Sequence, residues 1–116
     1  MVLSYVRWYW ADEDIWAYDE LDADRWSLRH VEVRRRDDAP PAAAALAEVI
    51  AARDAGDLLA VSLYEGRHGV VPEAPFPPVS AELDPPLDEI SAAEFEELWR
   101  RARRVIAGED DGANAG

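Results

Sequence analysis

The chain has 116 residues, 49% of them hydrophobic, which suits one folded core rather than a disordered segment. Its formal net charge is −13, all 12 cations are arginine, and there is no cysteine. Disulfides, cysteine-ligated zinc and thiol nucleophiles are thereby excluded. Nucleic acid and anionic membranes are disfavoured as partners, whereas a basic protein would be steered toward the chain. Acidity serving only solubility is the plainer alternative. The N-terminus, M-V-L-S-Y-V-R-W, does not read as a signal peptide, and no apolar run approaches the ~20 residues of a membrane span. A cytoplasmic protein is expected.

Residues 2–10, V-L-S-Y-V-R-W-Y-W, are β-branched and aromatic throughout and predict a first strand. Both of its faces carry aromatics, so both are expected to lie under other elements. A turn at 11–14 leads to a second strand at 15–20. Residues 25–36 predict a third, in which the apolar parity switches between Trp26, Leu28 and Val31, Val33, which suggests a bulge or a twist near Arg29 and His30. Between Asp12 and Asp24 there are seven carboxylates and no cation. Their mutual repulsion predicts that they project into solvent or toward a partner.

After a break at 37–41, alanine-rich residues 41–55 predict a helix bearing Leu46, Val49 and Ile50 and ending at Gly56. The run L-L-A-V-S-L-Y at 58–64 reads as a strand with Leu59, Val61 and Leu63 facing the core, followed by a turn at 65–69 and a brief return strand at 70–71. Six prolines in residues 72–86 predict an ordered, extended wrap. Ser91 and Glu94 form an S-x-x-E capping box ahead of the stripe Phe95, Leu98, Trp99, Ala102, Val105 and Ile106. Early glutamates and late arginines complement the dipole of that helix. Residues 1–107 thus predict a single α+β domain, with 108–116 a mobile polar tail. The architecture is a small, mostly antiparallel sheet of four to five strands, packed against a C-terminal amphipathic helix, with one inserted helix.

No motif carries a catalytic constellation. His30 sits mid-strand, where a satisfied histidine is the usual finding, and His68 lies in a glycine-flanked turn. No serine occupies a G-x-S-x-G elbow. Asp12 with Asp14, and Asp22 with Asp24, have D-x-D spacing but lack the glycine and glutamate of a calcium loop. Paired glycosidase carboxylates would need a cleft that so short a chain hardly affords. No catalytic, cofactor-binding or metal-ligating residue is therefore expected. Tyr5, Trp8, Trp10, Trp16 and Trp26 could line a pocket, but core packing accounts for most of them.

Tyr5-x-Arg7-Trp8, Tyr18-x-Glu20-Leu21-Asp22, Trp26-x-Leu28-Arg29-x-Val31-Glu32-Val33, Glu73-Ala74-Pro75 and Glu89-Ile90 followed by Glu94-Phe95-Glu96-x-Leu98-Trp99 occur in this order. The pattern resembles a family of small uncharacterised bacterial proteins, a domain of unknown function. The resemblance covers roughly two thirds of the chain and implies an α+β fold with no established catalytic residue. It departs in the middle, where such proteins usually have a short glycine turn and strand after the third strand. Members look like small acidic proteins found near toxin genes, which implies an immunity role.

Together these features predict a non-catalytic acidic binding module that inhibits a basic protein, such as a toxin. The expected contact residues are Asp12, Glu13, Asp14, Trp16, Tyr18, Asp19, Glu20, Asp22 and Asp24. The alternative is a small-molecule binder or minor enzyme, with an aromatic pocket between the sheet and the inserted helix. A homodimer with Leu46, Val49 and Ile50 as its seam is a further possibility.

Overall fold

The computed structural model describes residues 2–36, 39–56 and 58–108. The expected tail beyond Gly108, and Asp37 and Asp38 of the expected break, lie outside the described residues. Strands β1 (Ser4–Trp10), β2 (Ile15–Leu21) and β3 (Ser27–Arg34) are followed by β4 (Ala42–Ala45) and helices α1 (Leu46–Ala55) and α2 (Leu58–His68). The short β5 (Asp88–Glu89) and α3 (Ala92–Ile106) complete the fold. All pairings are antiparallel, in the order β4-β3-β2-β1-β5, and α3 lies across the sheet. The fold is α+β. No helix among the described residues is long and apolar enough to cross a membrane.

Alternation along the strands sorts the side chains into two layers. Tyr5, Tyr18, Val31 and Ala43 meet Phe95 and Ala102 of α3, with Leu98, Trp99 and Ile106 packed around them. The Ser91 hydroxyl accepts the Glu94 N–H at 3.0 Å and starts that helix as the capping motif predicts. On the other face Val6 and Leu21 pack with Leu87, Phe76, Leu83 and Trp8. The proline-rich wrap therefore roofs the second face. It is pinned at the β2–β3 turn, where Arg25 Nη2 donates to the Pro77 carbonyl at 2.8 Å and the Phe76 N–H donates to the Arg25 carbonyl at 2.8 Å.

Three segments correct the sequence-based expectation. Residues 42–45 are a strand on the outer edge of β3, not the first turn of a helix. All four alanines are buried. Gly69, at φ +102°, passes so close to Ala42 that a Cβ on it would come within 2.7 Å of the Ala42 Cβ. Residues 58–64 belong to helix α2, not to a strand, and Leu59 and Leu63 are exposed rather than core-facing. The inner side of α2 is Ala60, Val61 and Tyr64, and a Cβ at Gly56 would lie 2.5 Å from that of Ala60. The Tyr64 hydroxyl accepts the Ala45 N–H at 2.9 Å and donates to Glu48, which also pairs with Arg103 of α3. Residues 70–71 form no strand, although Val71 is buried.

The predicted bulge is present, with Leu28 as the extra residue between the pairs Glu20–Arg29 and Leu21–Ser27. It turns Ser27 onto the same face as Asp19 and His30. Tyr5, Trp8 and Trp16 pack against the core, as does Trp99, although none of the five tryptophans is fully buried. Phe95, Leu21, Val6 and Val31 fill the core instead, while Trp10 and Trp26 stand exposed at the two ends of the sheet.

Candidate functional site

The seven clustered carboxylates do not form one solvated edge. Asp19 and Glu20 are buried, because β2 is an inner strand and each meets a cation across the ladder. Asp19 pairs in register with His30, and Glu20 with Arg29. Asp19 Oδ1 accepts hydrogen bonds from Ser27 Oγ and His30 Nδ1, both at 2.7 Å, and His30 Nε2 lies 2.9 Å from Glu32 Oε2. Burial lowers the His30 pKa, but hydrogen bonds to Asp19 and Glu32 outweigh it and push the value up to about 9. The serine bonds the carboxylate rather than the imidazole, and all three groups are closed to solvent. A nucleophile needs the opposite arrangement, so this network is structural.

The other expected contact residues are divided between the two ends of β2, roughly 20 Å apart at about 3.3 Å per residue. Asp12 and Glu13 are exposed in the β1–β2 turn, and Asp14 accepts the Tyr9 hydroxyl at 2.6 Å. Asp22 and Asp24 occupy the β2–β3 turn, where Asp22 Oδ1 accepts the N–H groups of Asp24 and Trp26 at 2.9 and 3.0 Å. Tyr18 is buried beneath α3, and Trp16 is half-buried. Among the described residues no three histidine or carboxylate side chains gather as a metal site would require.

At the β1–β2 end lies an open groove of about 640 Å³, lined by Tyr9, Trp10, Ala11, Asp12, Trp16, Asp84, Pro85, Pro86 and Asp88. Its origin is a stalled ladder. β5 pairs with β1 only at Val6–Glu89 and Arg7–Asp88. Continued in the same register the ladder would set Pro86 against Tyr9, and proline has no N–H to give, so pairing stops short of it.

The groove joins aromatic and proline faces to three carboxylates, Asp12, Asp84 and Asp88. Arg7 reaches it, with Nε 3.5 Å from Asp88 Oδ2 and its guanidinium 5.1 Å from the Trp16 ring centre. No described cation pairs with the side chains of Asp12 or Asp84. Of the nine expected residues, only Asp12 and Trp16 line this groove. Sequence reasoning missed Asp84 and Asp88, some seventy residues away; the one local signal was Pro85-Pro86 directly ahead of a strand. The inserted helix α1 lies beside β4, at the other side of the sheet from β1, so it forms no pocket with Trp10. No family model, no curated protein and no solved structure matches the chain.

Proposed function

We propose that this chain is a non-catalytic binding module for a basic protein, which it holds at the groove between the β1–β2 turn and residues 84–88. The supporting observation is the meeting of exposed Trp10 and half-buried Trp16 with Asp12, Asp84 and Asp88 on a chain of net charge −13. Tryptophan supplies the anchor of such a contact, and the carboxylates supply the encounter rate. An inhibitor or immunity role against a basic toxin agrees with this chemistry and with the resemblance drawn from the sequence. The test is affinity capture from the native lysate with wild type and an Asp12→Arg/Asp84→Arg variant. The expected result is one basic protein, retained at low salt by wild type, shed at high salt and lost by the variant. An eluate without a stoichiometric partner, or equal retention by the variant, overturns the proposal.

A second reading concerns self-association. No residue of α1 or α2 is buried, and Leu58 and Leu63 are 81% and 67% exposed, with Ile50 and Val70 nearby in sequence also exposed. An acidic chain associates with its own copy most readily through an uncharged face. The expected seam therefore lies on α2, not on Leu46 and Val49, which are half-buried. Sedimentation equilibrium should show a dimer that Leu58→Glu/Leu63→Glu converts to monomer. A wild-type monomer at 100-micromolar order of concentration removes this reading.

A further inference from the structure

We infer that the groove is a guanidinium site, taking an arginine side chain of the basic partner in preference to a lysine. The inference rests on the binding role proposed above and specifies the group recognised. Its first support is the guanidinium already held at this corner: Arg7 lies over the Trp16 ring at 5.1 Å while its Nε faces Asp88 at 3.5 Å. A ring face combined with a carboxylate is therefore a geometry that this end of the sheet builds. The groove also brings together Trp10, 47% exposed, with Asp12 and Asp84, whose carboxylates have no described cationic partner, although Arg36 Nη1 donates to the Asp12 backbone carbonyl at 3.1 Å.

The second support is shape. The lining includes flat rings, Tyr9 and Trp16 from one face of the sheet, Trp10 from the other, together with Pro85 and Pro86. A planar, weakly hydrated cation stacks on such surfaces, whereas a compact ammonium keeps its water and gains less. The third is donor and acceptor count. The groove offers the carboxylates of Asp12 and Asp84, neither paired with a described cation. A guanidinium brings five N–H donors in a fixed fork to such a set, and an ammonium brings three. A volume of about 640 Å³ also leaves room for the residues flanking the arginine.

The experiment uses the full chain and three peptides, acetyl-Gly-Ser-X-Ser-Gly-amide, with X as arginine, lysine or citrulline. Binding is followed by tryptophan fluorescence and by the indole N–H resonances. The arginine peptide is expected to bind at least about 5-fold tighter than the lysine peptide, with no saturable change for citrulline. Trp10→Ala and Asp84→Asn alter exposed side chains, so both should keep the wild-type far-ultraviolet spectrum. Each should weaken the arginine peptide by about 5-fold or more. Equal binding of the arginine and lysine peptides, or an arginine response untouched by both substitutions, overturns the inference. If the captured partner still depends on Asp12 and Asp84 while the peptides do not discriminate, the guanidinium assignment falls and the binding role stands.

Discussion

Asp19→Ala is expected to destabilise the fold by about 3–5 kcal/mol, the cost of removing one partner from a buried charge pair. The Asp19 side chain is fully buried, and one of its oxygens holds both Ser27 and His30. Its loss would leave His30, only 2% exposed, against Glu32 alone. The wild type carries a matching pH signature. The folded His30 pKa of about 9 lies above the ordinary 6.5, so its contribution is complete below pH 6.5 and is lost as pH rises through about 9. In that window the unfolded chain binds fewer protons than the folded one, and stability should fall by up to about 1.4 kcal/mol per pH unit.

The composition makes this slope readable. There is no lysine and no cysteine, so below the tyrosine range near pH 10 the only other groups that ordinarily titrate are the terminal amine and His68. Burial, and then the nearby Arg103, lower the His68 pKa, so its own contribution has the opposite sign and raises stability with pH at the low end of the window. Urea unfolding midpoints measured from pH 6 to 10 should decline for wild type and decline less for Asp19→Ala. A wild-type midpoint that stays flat from pH 7 to 9.5 would show that His30 holds no proton in the folded state.

The same pair marks the boundary of what the sequence discloses. Counting charges along residues 12–24 finds seven carboxylates, but it cannot see that Asp19 and Glu20 face His30 and Arg29 across a ladder. Elements governed by local signals were legible: the strand periodicity of β1 and β2, the cap and stripe of α3, and the prolines of the wrap. Residues 42–45 were not, because alanine favours helices intrinsically and only the open edge of β3 and the closeness of Gly69 make them a strand. Residues 58–64 satisfy both a period of 2 and a spacing of four, since Leu59 and Leu63 share a face either way. The groove lay beyond local reading altogether, because four of its nine lining residues arrive from residues 84–88.

Arg29 is the second position where a single change should have a large effect. Arg29→Ala is expected to cost about 3 kcal/mol or more, and Arg29→Lys to recover less than half of that loss. The guanidinium grips Glu20 with two bonds, Nε to Oε1 at 2.8 Å and Nη2 to Oε2 at 2.9 Å, and it also pairs with Glu96 of α3. It lies 5.0 Å from the ring centres of both Phe95 and Trp99. One planar cation thus ties β2 and β3 to the helix that covers them, a geometry no ammonium reproduces. Hydrogen bonding from Arg29 holds the Glu20 pKa below the ordinary carboxylate value despite burial. That contribution is present above the unfolded pKa and is lost as pH falls through the folded one. Without Arg29, nearly buried Glu20 keeps only the Tyr5 hydroxyl, at 3.0 Å, and should take up a proton at higher pH. The variant should therefore show weaker hydrogen-exchange protection along α3 and an acid transition shifted upward. A loss below about 1 kcal/mol, or full rescue by lysine, would mean that α3 is held by its apolar stripe alone.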